Sequence, residues 1–264
     1  MTYSTLLFEK SDNFVTITLN RPDKSNAFDD VMISEMIDAL KNIQRDDKTR
    51  ALVITGAGKN FCGGQDLEPM LERYKSAEGV SFGAHLRKSY NVIISCIRHL
   101  EKPVIAAING AAAGAGLGLA CACDLRFASE AAKFRMAFIG IGLSPDSGTS
   151  FTLQRIIGLG RATELAFTND LIDAQTALQH GLVNRLFKAD ELLSQTREFA
   201  TKIARMPTKG IGLTKRAFNH SFTAELDAAL ENEAFLQEIA GHTEDHLEGV
   251  NAFLEKRPPQ FKGK

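Results

Sequence analysis

The most informative segment of this chain is NGAAAGAGLGLACACDL, residues 109–125. It leaves the β-rich run PVIAAING (103–110), passes through small residues as far as Gly116 and continues as an apolar helix. Small side chains are needed where the backbone approaches another helix or a ligand closely, and the free N–H groups at a helix start favour negative charge. The local sequence therefore leaves two interpretations open, tight helix packing and a ligand site.

The same alternation of strand and helix extends over the first two-thirds of the chain. Apolar residues at helical spacing predict helices over residues 29–44 and 90–100. β-branched runs bounded by turn residues predict four strands, the last of them an edge strand, at VTITL (15–19), ALVITG (51–56), PVIAAING (103–110) and DLRFAS (124–129). This alternation predicts an α/β fold.

From about residue 190 the β-rich runs stop. Amphipathic helices are predicted over residues 191–205, 208–219, 223–240 and 243–255, and the polar tail RPPQFKGK ends the chain. We therefore expect a core over residues 1–190 that carries the functional site, and a helical region over residues 191–264. These helices either cover the core or contact another subunit.

The composition excludes several classes of function. The chain has 264 residues, of which 44% are hydrophobic, and a formal net charge of -1, which argues against nucleic-acid and membrane-surface partners. No apolar run reaches the roughly 18 residues that span a bilayer, and the first residues resemble neither a signal nor a transit peptide. The four cysteines lie in apolar stretches, as expected for free thiols in a reducing compartment. We expect a cytoplasmic protein with neither a nucleic-acid nor a membrane partner.

The sequence patterns also argue against a nucleotide cofactor and against a metal. Residues 114–118 lack the G-x-G-x-x-G register, and residues 56–60 form too short a loop for a phosphate-binding motif. His242 and His246 lie one helical turn apart, but Thr243 stands where a zinc-protease helix has Glu. We therefore expect no metal site.

Two loops carry residues with catalytic potential. TGAGKNFCGGQDL (55–67) contains two consecutive glycines, which allow the backbone to direct N–H groups at one point and would supply the second half of an anion hole. GLSPDSGTS (142–150) places Asp146 just before a helix predicted over residues 148–158. That carboxylate is either a cap of the helix or an acid/base group.

Five segments resemble the crotonase (enoyl-CoA hydratase/isomerase) superfamily, and together they cover essentially the whole chain. They are NRPDKSNAF (20–28), GKNFCGGQDL (58–67), KPVIAAINGAAAGAGLGLACACDLRFA (102–128), AKFRMAF (132–138) and EGVNAFLEKRPPQFKGK (248–264). The resemblance implies a spiral of ββα units followed by a C-terminal helical trimerisation region. It also implies an acyl-CoA thioester substrate, no separate cofactor, and assembly as a homotrimer or a dimer of trimers.

The resemblance further assigns residues to the site. The backbone N–H groups of Gln65 and Ala115 would form an oxyanion hole, in which the loss of one donor typically costs about 3 kcal/mol. The run Glu68–Lys75 is expected to be a mobile, partly helical segment over the acyl pocket. The residues expected to contact the CoA or the substrate are Lys24, Ala27, Gly63, Gly64, Asp66, Leu67 and Phe138.

Departures from the family pattern indicate the reaction. Hydratases carry two water-activating glutamates, and those positions are Gly118 and Phe138 here, so hydration is disfavoured. Asp146 stands where isomerases of the family have their catalytic Asp, and the chain is most similar to the ring-1,2-epoxyphenylacetyl-CoA isomerases. We therefore expect an isomerase that shifts a proton or a double bond, or opens an epoxide, in an acyl-CoA. A hydratase or hydrolase, and a non-catalytic CoA-binding protein, are the alternatives.

A related enzyme, 4-chlorobenzoyl-CoA dehalogenase, is similar over residues 145–165 and uses an Asp at the position of Asp146 as its nucleophile. Its essential Trp would fall at Phe138, and this chain contains no Trp. Its catalytic His would fall near Asn91, six residues from His85, for which the sequence indicates no partner. Dehalogenation is therefore not expected.

Overall fold

The computed structural model describes residues 2–75 and 81–264. A six-stranded sheet and a three-stranded sheet form the framework of the core. The strands are β1 (Leu6–Lys10), β2 (Phe14–Leu19), β3 (Ala51–Gly56), β4 (Val104–Ile108), β5 (Ala111–Ala113), β6 (Leu125–Ser129), β7 (Lys133–Arg135), β8 (Ile172–Asp173) and β9 (Arg185–Phe187). All four strands predicted from the sequence are present.

The large sheet has the strand order β1-β2-β3-β4-β6-β9, and only its β1–β2 pair is antiparallel. Its central strands are buried along nearly their whole length, which explains their continuous apolar runs. The prediction that residues 124–129 form an edge strand is wrong, because β6 pairs with β4 on one side and β9 on the other. The charged residue of β6 is Arg126, and its buried guanidinium donates to the carbonyls of Leu182 and Cys123.

The small sheet has the strand order β5-β7-β8, and its strand β5 lies in residues 109–125, just before the chain continues as a helix. The helices of the described residues are α1 (Asp30–Arg45), α2 (Leu67–Lys75), α3 (Phe82–Lys88), α4 (Tyr90–His99), α5 (Ala115–Ala122), α6 (Thr149–Ile157), α7 (Leu159–Thr168), α8 (Ala174–Gln179), α9 (Leu192–Ile203), α10 (Thr208–Ser221), α11 (Leu226–Gly241) and α12 (Glu244–Leu254), with short 3-10 turns at Pro22–Lys24 and Ile139–Ile141. The helices predicted from apolar spacing are confirmed, with ends that differ by a few residues.

The C-terminal helices are attached to the core in two different ways. α9 covers the large sheet, where Phe199 stacks edge-on against Phe127 of β6 at 5.1 Å between ring centroids. α10 is anchored by Lys215, whose Nζ lies 2.8 Å from the Asp124 carboxylate. The first two helices after residue 190 therefore cover the core, which answers part of the question that the sequence left open.

The polar C-terminal tail is anchored to the protein. The Asp245 carboxylate accepts hydrogen bonds from the backbone N–H groups of Lys262 and Gly263, at 2.6 and 2.7 Å. The Arg50 guanidinium reaches the carbonyl of Phe261 at 3.1 Å. The tail thus joins α12 to the start of β3. No helix within residues 2–75 and 81–264 has both the length and the apolar character needed to cross a bilayer.

Candidate active site

The loop that follows β3 returns to the start of α1 and places Gln65 beside the N-terminus of α5. The backbone N–H of Phe28 donates to the Gly64 carbonyl at 2.7 Å, and the N–H of Asp66 donates to the Phe28 carbonyl at 2.8 Å. Gly64 has a φ of 101°, and a Cβ there would lie 3.0 Å from the Ala113 oxygen and 3.4 Å from the Ala115 nitrogen. Only glycine suits this position, because both the conformation and the close approach exclude a side chain.

The two predicted oxyanion donors are available to a ligand. Ala115 is the first residue of α5, so its N–H has no partner within the helix and lies at the positive end of the helix dipole. Within the part of the chain that the structure describes, the backbone N–H groups of Gln65 and Ala115 donate to no protein acceptor. Both residues line one cavity of about 140 Å³.

The helix that begins at Ala115 is consistent with both interpretations of residues 109–125, close helix packing and a ligand site. A Cβ on Gly116 would lie 2.2 Å from the carbonyl oxygen of Cys62, so the helix packs against the neighbouring loop without space for a side chain. Its first residue still faces the cavity. Close helix packing is therefore what brings the two backbone donors together.

The wall of the cavity is mainly apolar and contains one carboxylate among the described residues. Asp146 is that carboxylate, and His85 and Tyr90 are the other titratable side chains that face the cavity. The apolar part of the wall consists of Leu67, Met70, Phe82, Leu86, Phe138, Ile141 and Leu143. An apolar cavity with a few convergent polar groups is the usual form of a small-molecule site.

Asp146 does not cap the helix that follows it. α6 begins at Thr149 with Gly148 as its N-cap residue and with no side-chain hydrogen bond at the cap. The Asp146 carboxylate instead accepts a 2.7 Å hydrogen bond from the hydroxyl of Ser147. Ser147 has a φ of 52°, an uncommon conformation for a residue with a side chain and one that is concentrated at functional sites.

Burial of Asp146 raises the pKa of its carboxyl above the ordinary value, which is the largest effect on this group. The hydrogen bond from Ser147 and the charge of His85 act in the opposite direction, since both favour the ionised carboxylate. A carboxylate with a raised pKa is a better proton acceptor than an exposed one. The environment therefore suits Asp146 for proton transfer.

The two positions that carry glutamates in hydratases hold no carboxylate. Phe138 lines the cavity with its aromatic ring. At Gly118, a Cβ would lie 2.7 Å from Ser147 Cβ, 2.8 Å from the Ser147 oxygen and 2.8 Å from Thr149 Oγ1. These distances are shorter than van der Waals contact, so the turn that carries Asp146 fills the space that a side chain at position 118 would need.

The residues predicted to contact the CoA or the substrate fall into two groups. Gly63, Gly64, Leu67 and Phe138 line the cavity. Lys24, Ala27 and Asp66 do not, and each makes a contact elsewhere. The helical part of the prediction for Glu68–Lys75 is confirmed by α2, which begins at Leu67, and the mobility of this segment stays a prediction.

Arg21 contacts two of the three predicted residues that do not line the cavity. Its guanidinium donates to the Asp66 carboxylate at 2.9 Å and to the Ala27 carbonyl at 2.6 Å. Asp66 is buried in this contact, so its position indicates that it holds the loop together. Lys24 is exposed, lies 2.7 Å from the Glu68 carboxylate and does not line the cavity.

The sequence did not identify His85 and Tyr90 as members of the site. The sequence indicates no partner for His85, but in the structure its Nε2 lies 3.3 Å from Gln65 Oε1 and its ring stacks edge-on against Tyr90. The sequence placed Tyr90 only on the apolar face of a helix. The two residues belong to different helices, α3 and α4, which meet at Ser89, so no single helical period connects them.

Known proteins resemble this chain over nearly its whole length. Residues 9–264 match the family profile described as enoyl-CoA hydratase/isomerase. The chain is 41% identical over 252 residues, 95% of each chain, to the 1,2-epoxyphenylacetyl-CoA isomerase of Escherichia coli K12. It is 35% identical, over the full length of both chains, to the crotonyl-CoA hydratase of Syntrophomonas wolfei.

The fold is also that of solved structures in the family. The structure of an enoyl-CoA hydratase from Bacillus anthracis has a TM-score of 0.90 to this chain and 34% sequence identity, and the match covers 99% of this chain and all of that one. The crotonase fold expected from the sequence is therefore confirmed. With its profile match, its relatives and its fold in agreement, the chain belongs to the enoyl-CoA hydratase/isomerase family, the crotonases.

Proposed function

We propose that this protein is an isomerase of unsaturated or epoxidised acyl-CoA thioesters, in which Asp146 is the acid/base residue that moves the proton. The observation that carries the proposal is the pair formed by Asp146 and Gly118. Asp146 is the single carboxylate in the cavity wall within the described residues, and the turn beside it leaves no room for a second one at Gly118. Moving a proton requires one such group, whereas orienting and activating water requires more.

In the proposed reaction, the thioester oxygen lies between the backbone N–H groups of Gln65 and Ala115. For a 3-enoyl thioester, the Asp146 carboxylate removes a proton from C2, and the electrons of that bond move onto the thioester oxygen. The same carboxyl then returns the proton to C4, so the double bond moves to C2–C3 and no atoms are gained or lost. The two backbone donors stabilise the enolate, at about 3 kcal/mol for each donor.

The substrate itself contains the CoA, so the proposed reaction needs no separate cofactor. Among the described residues, no group of three or more His, Cys, Asp and Glu side chains is arranged to hold a metal ion. The relative with 41% identity is named 1,2-epoxyphenylacetyl-CoA isomerase, which supports isomerisation of an acyl group that carries a ring. A straight-chain acyl group is the alternative.

Hydration is the second candidate, because other relatives of similar identity are named hydratases. Addition of water to a 2-enoyl thioester needs a group that orients the water at C3 and a proton donor at C2. The cavity offers Asp146 for one of these roles, and the hydratase glutamate positions offer none. The geometry therefore favours isomerisation over hydration.

The proposal is tested by incubating the protein with 3-enoyl-CoA, crotonyl-CoA and aromatic acyl-CoA thioesters in deuterium oxide, followed by liquid chromatography and mass spectrometry. We expect conversion of a 3-enoyl or ring-modified thioester into its isomer, which separates from the substrate on the column, and deuterium only in those molecules whose proton exchanged with the solvent while it was held on Asp146. Rapid formation of 3-hydroxyacyl-CoA from crotonyl-CoA would instead assign a hydratase. Binding of the thioesters without turnover of any of them would assign a non-catalytic CoA-binding protein.

We also propose that the protein assembles as a homotrimer or a dimer of trimers. The last two helices, α11 and α12, expose large apolar side chains, which support burial against other copies of the chain. Those that are more than half exposed are Leu226, Leu230, Phe235, Leu247, Phe253 and Leu254. Light scattering coupled to size-exclusion chromatography measures the mass, and a monomer at micromolar concentration would contradict this proposal.

A further inference from the structure

We propose that Tyr90 is a positioning residue for the oxyanion hole, because its hydroxyl holds the Gln65 side chain and thereby orients the Gln65 backbone N–H. This inference rests on the proposed function, in which that N–H binds the thioester oxygen. Tyr90 lies on α4, whereas Gln65 lies on the loop after β3, so the contact joins two separate parts of the fold.

The side-chain amide of Gln65 is held at both ends. Its Nε2 donates to the carbonyl oxygens of Phe28 at 3.0 Å and Asp66 at 3.2 Å. Its Oε1 accepts a short hydrogen bond of 2.6 Å from the Tyr90 hydroxyl and lies 3.3 Å from His85 Nε2. Because carbonyl oxygens only accept, Nε2 must face them and Oε1 must face Tyr90, which determines the orientation of the amide.

Tyr90 is itself held rigidly. Its side chain is 3% exposed, and its ring stacks edge-on against Phe28 at 5.6 Å between centroids. Burial raises the pKa of the Tyr90 hydroxyl, so this group stays protonated and acts as a donor at neutral pH. Phe28 also contacts the Gln65 loop through its backbone. Three residues, Phe28, Gln65 and Tyr90, therefore form a closed ring of contacts.

The loop needs such support because its preceding residues are glycines. Gly63 and Gly64 place few limits on the backbone, and the direction of the Gln65 N–H depends on the peptide plane between Gly64 and Gln65. The hydrogen bonds between Phe28 and this loop hold the peptides on either side of Gln65. The Gln65 side chain adds a third anchor, and a catalytic donor must keep its place to within about 0.5 Å.

The test compares Tyr90→Phe, which keeps the buried ring, with Gln65→Met, which keeps the backbone N–H and removes the amide. We expect each variant to lower kcat about tenfold, a fraction of the 10²–10³-fold loss typical when an oxyanion donor is removed, with KM changed less than about twofold. Because Gln65→Met removes the acceptor of the Tyr90 hydrogen bond together with the two contacts of Nε2, Tyr90→Phe should cause no further loss when it is added to Gln65→Met. Multiplied losses in the double variant would overturn the proposal.

A readout that does not need turnover separates this inference from the proposed reaction. Hydrogen bonds in the oxyanion hole lower the stretching frequency of a bound thioester carbonyl, which isotope-edited infrared spectroscopy measures with a saturated acyl-CoA. We expect a smaller frequency shift in Tyr90→Phe and in Gln65→Met than in the unaltered protein. An unchanged shift in both would overturn the positioning role, even if the isomerase reaction is confirmed.

Tyr3→Phe is the matched control, since it also removes a phenol hydroxyl that forms a hydrogen bond, here to Asp38 on the surface. We expect kcat and the carbonyl frequency to stay unchanged in this variant. Circular dichroism and the melting temperature check that each variant is folded. Should Tyr90→Phe fail to fold, Gln65→Met provides the same test. The side chain of Gln65 is only half-buried, so its replacement disturbs the core less.

Discussion

The hydroxyl of Ser147 donates a 2.7 Å hydrogen bond to the carboxylate of Asp146. Ser147 is buried and has a left-handed backbone, so the turn itself holds the donor in place. The same residue fills the space beside Gly118, where a Cβ would lie 2.7 Å from Ser147 Cβ. One turn thus supports the carboxylate of the site and excludes a side chain at a neighbouring position.

Asp146→Asn should abolish turnover while acyl-CoA binding is retained. Asparagine has nearly the same shape and still accepts a hydrogen bond from Ser147, but it takes no proton from carbon at neutral pH. General base catalysis is typically worth 10²–10⁴-fold, so we expect kcat to fall by about a thousandfold or more. Isothermal titration calorimetry measures the binding of a saturated acyl-CoA. Activity close to that of the unaltered protein would remove Asp146 from the mechanism.

The same substitution should stabilise the protein at neutral pH. The pKa of Asp146 is raised mainly by burial, so its charged form opposes folding. For a group with a raised folded-state pKa, the stability present at low pH is lost as the pH rises through that pKa. We therefore expect Asp146→Asn to increase the free energy of unfolding at neutral pH and to lose this advantage in acidic buffer. Denaturant titrations at both pH values check the prediction, and a less stable variant at neutral pH would contradict it.

Ser147→Ala should move the acidic limb of the pH profile to higher pH. Activity requires the ionised carboxylate and is lost as the pH falls through the pKa of Asp146. The Ser147 hydrogen bond lowers that pKa, so its removal raises the pKa further. The profile of log(kcat/KM) against pH measures the shift. The exposed Ser150 on α6 supplies the control, since Ser150→Ala removes a hydroxyl that has no such contact with Asp146.

Gly118→Ala should lower both stability and activity. The new methyl group would lie 2.7–2.8 Å from atoms of Ser147 and Thr149, and overpacking of this kind costs about 1–3 kcal/mol. Displacement of the turn would also misplace Asp146. Gly160→Ala is the matched control, because Gly160 lies in α7 and a Cβ there would meet no other part of the described chain within 4 Å. That change should raise stability by about 0.4–1 kcal/mol. Thermal melts and kcat measure both variants.

Lys24→Ala tests a role in CoA binding, which the family resemblance predicts. Its exposed ion pair with Glu68 contributes little stability, so we expect an unchanged melting temperature. If Lys24 binds the CoA phosphates, KM for an acyl-CoA should rise about tenfold, as expected for the loss of a charge-assisted contact. KM for a truncated N-acetylcysteamine thioester should not change. Lys10→Ala, which breaks a comparable surface ion pair with Asp46, is the control and should leave KM for both thioesters unchanged.

Much of the fold follows from local sequence. The central strands β2, β3 and β4 are buried apolar runs, and α1 and α4 place apolar residues at helical spacing, so each of these elements carries its own signal. The prediction that residues 124–129 form an edge strand was wrong. The sequence alone does not distinguish an exposed Arg126 from a buried one whose guanidinium donates to backbone carbonyls. Sequence patterns report periodicity and residue type, whereas strand order depends on long-range pairing.

Some residues of the site were predicted from the sequence and others were not, again because long-range contacts are not visible in it. Asp146, Gln65 and Ala115 were identified by their motif positions. His85 and Tyr90 were not, because their importance comes from contact with Gln65, which lies 20 and 25 residues earlier in the chain. Contacts of that kind depend on how α3 and α4 pack beside the loop.

Local pattern and motif were enough to predict four strands of the large sheet, the long helices, membership of the crotonase family and a candidate acid/base carboxylate at position 146. The short strands β5, β7 and β8 carry no such signal and were not predicted. The packed structure was needed to show that Asp146 lines the cavity without capping α6, that Gly118 has no room for a side chain, and that the Tyr90 hydroxyl donates to Gln65. Close packing and hydrogen bonding join residues that are distant in the chain, and no periodicity along the sequence records those distances.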